Sequence, residues 1–414
     1  MDATIFEQYR HEGAERVRLY NTMTRQMDEV DFGPIVSLYV CGVTPYDTTH
    51  LGHAFCYSTF DVLIRYLRML GYEVRYTQNV TDIDDDILRK SREVGIPWDE
   101  LGRRETARFL TDLRDLNVLS PTHYPRATAE IPGMVEVIAR LLDKGHAYIV
   151  DRNVYFAAAS ARDFEALSGL DRETMLARFE DTGDPPADPR KRDRLDFVLW
   201  KESAPGEPEW EAPWGSGRPG WHIECSTMAN HYLGPRIDIH GGGDDLIFPH
   251  HSCEIAQSEA ATGERPFVRI WMHNAPVRLD GVKMSKSLGN LVMARTLLER
   301  YPADAIRVYL HQHHYRTAWD YDQGEMDAAA ARAERLAAHA WQADSMSPQP
   351  TMDASPSGAI ETARRRFATA MSDDLDTPAA LRALEELLGV PGGEAAATLR
   401  ELGGVLGLQL NRPA

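Results

Sequence analysis

The chain has 414 residues, more than one ordinary domain needs, and its length predicts two or three domains. A hydrophobic content of 43% with 26% charged residues is typical of a soluble globular protein. The formal net charge of −18 argues against a protein whose whole surface binds nucleic acid, although an acidic protein can still carry a local basic groove.

The cellular compartment is predicted from the cysteines and from the N-terminal residues. Four cysteines are too few for a disulfide scaffold in a chain of this length, and they indicate a reducing cytoplasm, where cysteines serve metal binding or catalysis. The sequence contains no run of about 18 apolar residues, so we expect no membrane span. Its N-terminal segment is charged and lacks the apolar core of a signal peptide. These features predict a cytoplasmic protein.

The first predicted elements are a strand, a turn and a helix. An apolar β-type run at 35–40 is followed by a turn, and a helical apolar pattern extends over 54–70. His50 and His53 stand at the start of this helix with Gly52 between them. Helix-start amides attract anions, glycine lets a ligand approach the backbone, and histidines can donate to a phosphate. The pattern indicates a phosphate site, but an ordinary helix cap after a buried strand would look the same.

A second strand is predicted at 73–80, and the acidic run TDIDDD follows it at 81–86. In open α/β sheets, ligands bind at the carboxyl ends of the strands. Charge alone favours a solvated loop or helix start for this run. Amphipathic helices are predicted at 98–118 and 131–144.

The middle of the chain predicts an insertion that splits a doubly wound domain. The periodic pattern weakens between 147 and 200, where a turn-rich loop lies at 182–189. A short strand at 237–240 then precedes three glycines at 241–243, which permit close approach to a nucleotide or form a plain turn. Helices dominate after residue 294, with a loop or linker rich in proline and serine at 345–357.

A second motif, KMSKS at 283–287, follows the HLGH run at 50–53 far along the chain. Together and in this order, the two motifs resemble the paired signatures of class I aminoacyl-tRNA synthetases, which clasp ATP while an amino acid is adenylated. The chain is similar to the cysteinyl-tRNA synthetase superfamily over about 17–410. This resemblance implies an α/β fold: a doubly wound, Rossmann-like parallel-sheet catalytic domain with an inserted α+β segment and a C-terminal helical bundle.

The resemblance also implies a division of the chain into five segments. We expect the catalytic domain at 1–120 and 206–275, the insertion at 121–205, the KMSKS loop with a stem-contact region at 276–325, and a helical domain without an anticodon-binding module at 326–414.

A metal site is predicted from four residues far apart in sequence. On a helix, His250 and Glu254 would face the same way, and with Cys41 and Cys225 they would offer two thiolates, an imidazole and a carboxylate, a set that suits zinc. Spacing alone favours buried free cysteines. The resemblance assembles the set, because the matching residues of cysteinyl-tRNA synthetases bind a zinc that takes the substrate thiolate. The other two cysteines, Cys56 and Cys253, are interpreted as structural.

The remaining site residues are implied by the resemblance in the same way. Phosphate contacts are expected from His50, His53, Lys283 and Lys286. The cysteine pocket is expected to be lined by Thr44, Thr81 and Trp221. The adenosine is expected to meet Gly241, Gly242, Gly243 and Asp245. Mg²⁺ would accompany ATP, since hard phosphate oxygens attract it. A general base for the transfer step is not assigned, and Asp84 is a candidate only.

Two branches of the superfamily share these motifs: one charges cysteine onto tRNA, and the other joins cysteine to the amine of glucosaminyl-inositol in mycothiol biosynthesis. Three features favour the second branch: the run TPYD at 44–47, the segment at 171–176 with its following loop, and the early end of the chain after 373–378. Glu254 and the run VRLDG at 277–281 are typical of the first. We expect L-cysteine, ATP and the amino-sugar 1D-myo-inosityl 2-amino-2-deoxy-α-D-glucopyranoside as substrates, with tRNA as the alternative acceptor.

Two functions of other classes are alternatives. A nucleotidyltransferase of the same superfamily would carry the HxGH motif without a donor set that selects a thiol. A non-catalytic cysteine or zinc sensor would carry decayed signatures, and here both are intact. The sequence does not decide between a monomer and a homodimer.

Overall fold

A computed structural model describes residues 16–46, 49–180, 187–284, 288–342 and 356–411. The strands are β1 (Arg18–Asn21), β2 (Gln26–Glu29), β3 (Ile35–Val43), β4 (Glu73–Val80), β5 (Ala147–Val150), β6 (Asn153–Phe156), β7 (Phe197–Lys201), β8 (Arg218–Pro219), β9 (Ile237–Gly243), β10 (Val268–Asn274), β11 (Val277–Leu279), β12 (Val282–Lys283) and β13 (Trp319–Asp320).

The helices are α1 (Leu51–Met69), α2 (Asp85–Val94), α3 (Trp98–Asp115), α4 (Ile131–Asp143), α5 (Arg172–Glu180), α6 (Trp221–Leu233), α7 (Ser252–Thr262), α8 (Ala294–Leu298), α9 (Ala303–His311), α10 (Gln323–Gln342), α11 (Pro356–Ser372), α12 (Thr377–Glu386) and α13 (Gly393–Val405). Among the described residues, no helix combines the length and the apolar character that a bilayer crossing needs.

Strand β3 is the centre of the fold, because its side chains enter two different apolar cores. Leu38 and Val40 pack into the core that contains α1 and the C-terminal helices, whereas Tyr39 and Cys41 pack into the core that contains α4 and α6. A strand buried on both faces is typical of a parallel sheet covered by helices on each side. The predicted doubly wound α/β fold is therefore confirmed.

The order of the parallel sheet is β10–β9–β3–β4. From β3 the chain continues outward to β4 on one side, and it returns later to fill the other side with β9 and β10. The strand order thus reverses between β3 and β9. In doubly wound sheets the ligand crevice opens at the carboxyl ends of the strands on either side of such a reversal.

A second sheet is antiparallel, in the order β5–β6–β7–β8. It lies between α4 and α6 in the chain and, with α5, forms an inserted α+β segment next to the catalytic sheet. Its last strand, β8, runs straight into α6, so the inserted sheet directly places the start of that helix. The five-segment division of the chain stays a prediction.

The C-terminal helices pack against α1 through a buried charge network. The guanidinium of Arg307 on α9 is fully buried, and its Nη2 donates to Asp61 Oδ2 on α1 at 2.5 Å. Its Nε and Nη1 donate to the carbonyls of Leu406 and Leu116 at 2.8 and 3.0 Å. One ion pair therefore connects the helix of the first signature to the C-terminal region.

Asp61→Ala is expected to lower the free energy of unfolding by about 3–5 kcal/mol, because it leaves the Arg307 charge buried without its partner. Urea denaturation followed by circular dichroism measures this loss. The matched control is Asp99→Ala, whose carboxylate pairs with Arg103 at 3.2 Å on the exposed surface and whose loss should cost at most about 1 kcal/mol. Equal stability of the two variants would contradict the importance of the buried pair.

Candidate active site and metal centre

The first signature forms the start of α1. His50 is the N-cap of this helix, in extended conformation, and its Nδ1 accepts a hydrogen bond from the backbone N–H of His53 at 3.3 Å. The two imidazole rings stack with centroids 3.7 Å apart. Because Nδ1 of His50 accepts, the proton of a neutral His50 ring lies on Nε2, which leaves that nitrogen as a donor. Helix-start amides and two imidazoles thus occur together, an arrangement that suits a phosphate group.

The chain that follows the second signature is hydrogen-bonded to the first. The backbone N–H of Leu51 donates to the Val292 carbonyl, and that of Ala294 donates to the Thr49 carbonyl, both at 2.8 Å. Lys283 lies on β12, with Nζ 3.7 Å from Asp245 Oδ1. Lys286, the other lysine of this signature, lies outside the described residues.

A large cavity of about 1080 Å³ opens at the carboxyl ends of β3 and β9. The predicted site residues that line it are Cys41, Thr44, His50, His53, Thr81, Trp221, Gly243, Asp245 and Lys283. Cys56, interpreted from the sequence as structural, also lines it. The structure therefore brings residues from all three expected groups, those at the phosphates, the cysteine pocket and the adenosine, to one cavity.

The glycine run differs from the prediction. Gly241, Gly242 and Gly243 are the last residues of β9 rather than a turn after it. A Cβ at Gly241 would overlap the ring of Phe60 on α1, and one at Gly242 would lie 2.7 Å from Leu246 Cδ1. The close approach that these two glycines permit is thus to neighbouring side chains, and Gly243 alone of the three lines the cavity.

The four predicted metal ligands meet beside this cavity, and of these four Cys41 lines it. Cys41 lies near the end of β3, Cys225 lies on α6, His250 lies in the turn before α7, and Glu254 lies on α7. Their donor atoms all lie within 4.8 Å of one another, and all four residues are buried.

The distances between these donor atoms fit a small tetrahedral ion. Cys41 Sγ and Cys225 Sγ are 3.9 Å apart, close to the edge of about 3.8 Å that two metal–sulfur bonds of about 2.3 Å span in a tetrahedron. His250 Nε2 is 3.1 Å from Glu254 Oε1, and Cys41 Sγ is 3.5 Å from the same oxygen. Two sulfurs, one nitrogen and one oxygen form a soft to borderline donor set, which residues of this kind offer to zinc.

The charges of the donor set favour a cation. Burial, the hydrogen bond with Cys225 and the negative charge there raise the pKa of Cys41. Burial also opposes ionisation of Cys225, but the hydrogen bond from Cys41 and the charge of His250 outweigh it, and the pKa of Cys225 is lowered. The two thiols therefore share one proton, with the thiolate on Cys225.

His250 and Glu254 are both charged in the absence of a metal. Burial lowers the pKa of His250, but the charges of Cys225 and Glu254 outweigh burial and raise it to about 10. Burial raises the pKa of Glu254, but the charges of His240 and His250 outweigh burial and lower it to about 2. One thiolate and one carboxylate thus face one imidazolium, and this net negative charge attracts a cation, which would compete with the protons on Cys41 and His250.

Further buried histidines surround the donor set and hold it in place. His222 Nδ1 lies 3.0 Å from His250 Nδ1, and His240 Nε2 lies 3.0 Å from Glu254 Oε2. His251 lies between Cys41 and His273, with Nε2 3.3 Å from the Cys41 sulfur and Nδ1 2.8 Å from His273 Nε2.

Sequence reasoning missed these four histidines. The available signals were the position of His222 three residues before Cys225 and of His251 directly after His250. Partners of this kind orient metal ligands and fix their tautomers. Trp221 adds an aromatic face, because its ring stacks on His250 with centroids 4.3 Å apart.

A second cavity, of about 450 Å³, adjoins the first. Thr44, Asp86, Trp221, Asp245 and Leu246 line both cavities. The remaining walls come from the acidic start of α2 and from the inserted segment, through residues of α5, β7 and β8.

Asp84 lines this second cavity and is the N-cap of α2. Its Oδ1 accepts from the Ile87 N–H at 2.8 Å, and its Oδ2 accepts from the Thr44 hydroxyl at 2.9 Å. Burial raises the pKa of Asp84 to about 6, against the lowering effect of these two hydrogen bonds. At neutral pH the carboxylate is ionised but can accept a proton readily.

Comparison with known proteins gives matches along the chain. Residues 29–331 match the family model described as "tRNA synthetases class I (C) catalytic domain". The cysteine--tRNA ligase of Thioalkalivibrio sulfidiphilus is 46% identical over 96% of this chain and 86% of its own length. The L-cysteine:1D-myo-inositol 2-amino-2-deoxy-alpha-D-glucopyranoside ligase of Thermobispora bispora is 43% identical over 92% of each chain. The ligase of the same name from Parafrankia sp. is 45% identical over 89% of this chain and 81% of its own.

The fold is also similar to that of solved structures. Methionyl-tRNA synthetase of Mycobacterium tuberculosis in complex with methionyl-adenylate superposes with a TM-score of 0.63 at 18% sequence identity, over 90% of this chain and 89% of that one. At this level of identity the match bears on the fold alone.

Proposed function

Since the chain belongs to the class I (C) tRNA synthetase family, it is an ATP-dependent cysteine ligase, and we propose that it transfers cysteine to the amine of glucosaminyl-inositol. The observation that carries the cysteine half of this proposal is the cluster of Cys41, Cys225, His250 and Glu254 beside the cavity that His50 and His53 line. A thiol-selective donor set next to a phosphate site fits activation of cysteine by ATP. The reaction would take place in the cytoplasm.

The donor set fits zinc. Cys41, Cys225, His250 and Glu254 would hold the ion. Bound there, zinc would take the thiolate of the substrate as a further ligand and would reject serine, whose hydroxyl stays protonated at neutral pH. An apolar pocket alone discriminates between such similar side chains only modestly. Thr44, Thr81 and Trp221 would line the remainder of the cysteine pocket.

In the first step, an oxygen of the cysteine carboxylate attacks the α-phosphorus of ATP, a P–O bond forms, and pyrophosphate leaves with the electrons of the broken bond. The residues contribute position and charge neutralisation. His50 and His53 would donate to the phosphates from the start of α1, and Lys283 and Lys286 would contact the leaving pyrophosphate. Gly243 and Asp245 would meet the adenosine, and Mg²⁺ carried by ATP would reduce the phosphate charge.

An amine acceptor is supported by charge and by resemblance. The net charge of −18 disfavours a polyanionic acceptor, and carboxylates line the cavity that adjoins the nucleotide site. The relatives from Thermobispora bispora and Parafrankia sp., 43% and 45% identical, carry the name of this activity. The segment TPYD at 44–47 is similar to that branch, and its Asp47 lies outside the described residues.

The alternative acceptor is tRNA, and the position of Glu254 favours it. Its carboxylate lies among the other three donors, as expected for a cysteinyl-tRNA synthetase with four protein ligands. The relative from Thioalkalivibrio sulfidiphilus, named a cysteine--tRNA ligase, is 46% identical.

Two assays test the proposal in sequence. ATP–pyrophosphate exchange should depend on L-cysteine and should not occur with L-serine. The protein is then offered glucosaminyl-inositol and tRNA in parallel with ATP and radiolabelled cysteine. Label in the amino-sugar supports the proposal, and label in tRNA alone would establish the alternative.

A further inference from the structure

The second cavity has the position that an acceptor needs. It meets the nucleotide cavity at Thr44, Trp221 and Asp245, which is where the carboxyl of the bound cysteine would be activated. Its volume of about 450 Å³ falls within the range of about 300–1,000 Å³ that small-molecule sites occupy. A compact molecule held there would reach the activated carbonyl directly.

The charged side chains that line this cavity are Asp84, Asp85, Asp86, Asp245, Arg178, Lys201 and Arg218. Asp85 pairs with Lys201 at 2.7 Å and with Arg218, and Arg218 also pairs with Glu207 at 3.4 Å, so both cations have carboxylate partners. Asp86 accepts from the Tyr46 hydroxyl at 2.6 Å and from Arg89 at 3.0 Å. Asp84 accepts hydrogen bonds from two neutral donors, the Ile87 N–H and the Thr44 hydroxyl. Asp84 is thus a carboxylate without a cation among these contacts.

We propose that the second cavity binds the acceptor, a compact polyhydroxylated amine, and that Asp84 takes the proton from its attacking nitrogen. This inference rests on the proposed function, which supplies the amine. Carboxylates and the polar walls suit an ammonium group and hydroxyls, whereas the same carboxylates repel the phosphates of a nucleic acid. Thr44 donates its hydroxyl hydrogen to Asp84 and is also expected to line the cysteine pocket. This residue therefore connects the acceptor side of the site with the substrate cysteine.

The transfer step balances with these groups. The neutral nitrogen attacks the carbonyl carbon of cysteinyl-adenylate, a C–N bond forms, and the bond from that carbon to the phosphate oxygen breaks. AMP leaves with the electron pair of the broken bond. The nitrogen loses one proton, which passes to the Asp84 carboxylate and from there to solvent. No oxidant, reductant or further reactant is needed.

The surroundings of Asp84 suit a proton acceptor. Asp85 and Asp86 face it from α2, Tyr46 from the turn after β3, and Glu224 from α6. The raised pKa of Asp84, about 6, means that the carboxylate accepts protons above this pH and is blocked below it. The rate of transfer should therefore fall as the pH drops through 6, in addition to the fall caused by protonation of the amine.

The test separates the two half-reactions in the full-length protein. Asp84→Asn keeps an N-cap residue on α2, since asparagine caps helices as well as aspartate does. Cysteine-dependent ATP–pyrophosphate exchange is measured in the same variant, so that the transfer rate is expressed relative to the first half-reaction. Single-turnover transfer to glucosaminyl-inositol should fall by about 100-fold, the usual contribution of a general base. The decline of the transfer rate near pH 6 should disappear in this variant, so that only the decline caused by protonation of the amine remains.

Two further variants test the role of the cavity and the effect of removing a carboxylate elsewhere. Val198→Phe fills the second cavity from β7 and should raise the KM for glucosaminyl-inositol at least tenfold with little change in kcat or in exchange. Asp143→Asn removes the same charge from the exposed end of α4 and should change neither half-reaction. Unchanged transfer and an unchanged pH profile in Asp84→Asn, or an unchanged KM in Val198→Phe, would overturn the inference.

Failure of the proposed function gives a different result. In that case the unmodified protein itself would leave glucosaminyl-inositol unlabelled although exchange proceeds. The variants are compared only on the amino-sugar that the unmodified protein cysteinylates, so an unlabelled amino-sugar overturns both proposals. A labelled amino-sugar with unaffected variants overturns the acceptor site alone.

Discussion

Replacing Cys225 with serine is expected to abolish the zinc binding that we propose and to lower cysteine-dependent ATP–pyrophosphate exchange by more than about 100-fold. Loss of a residue that only supports a metal ligand costs about 10–100-fold in metal affinity or activity, and loss of the ligand itself should cost more. Cys225 would supply one of the two thiolates of the donor set. Serine at this position stays protonated and cannot replace it.

The matched control for this substitution is Cys253→Ser. Cys253 is as fully buried as Cys225 and lies next to Glu254 on α7, but it is not one of the four donors. Its substitution should therefore leave the zinc content and the exchange rate close to those of the unmodified protein. Metal analysis by mass spectrometry and the exchange assay measure both quantities. Full zinc content and full exchange in Cys225→Ser would rule out Cys225 as a ligand.

His53→Ala is expected to lower kcat for ATP–pyrophosphate exchange by about 10²–10³-fold, the usual effect of removing one preorganised donor to a developing negative charge. His53 lies in the first turn of α1, lines the nucleotide cavity and stacks on His50 at 3.7 Å. The metal donors are contributed by other elements, so zinc content and the binding of cysteine should not change.

The control for His53 is His231→Ala. His231 is exposed on the outer part of α6, where it pairs with Glu130 at 2.9 Å. It shares the residue type but not the position, and its substitution should leave exchange unchanged. A kcat for His53→Ala within threefold of the unmodified protein would exclude a role of this histidine in the transition state.

Several elements of the catalytic domain could be predicted from local patterns alone. The predicted strand at 73–80 coincides with β4, and the helices predicted at 98–118 and 131–144 correspond to α3 and α4. These elements are readable because their apolar periodicity is contained within each segment.

Two features depend on contacts that the local sequence does not contain. The strand predicted at 237–240 continues to Gly243, because the glycines pair with β10, as Gly241 does with Met272. The C-terminal helices α11 and α12 are separated at Asp374, which has a φ of 58° and whose carboxylate accepts from the Tyr20 N–H at 2.8 Å and the Tyr315 hydroxyl. Both partners of Asp374 are distant in sequence, so periodicity could not indicate them.

The candidate metal centre could not be identified from sequence patterns alone. Its donors come from β3, α6, the turn before α7 and α7 itself, and no short spacing connects Cys41 with Cys225. Similarity to a known family was needed to assemble them. His240, His251 and His273 went unrecognised because their partners, such as Glu254 and Cys41, become neighbours only in the folded chain.

The most direct test of the zinc–thiolate account uses protein in which cobalt replaces the zinc. Cobalt in a site with thiolate ligands absorbs light through sulfur-to-metal charge transfer, and each added thiolate strengthens the band. We expect L-cysteine to increase this absorption on binding, and we expect L-serine at the same concentration to leave it unchanged. An unchanged spectrum at saturating L-cysteine, in protein that still performs exchange at its full rate, would contradict recognition of the substrate thiol by the metal.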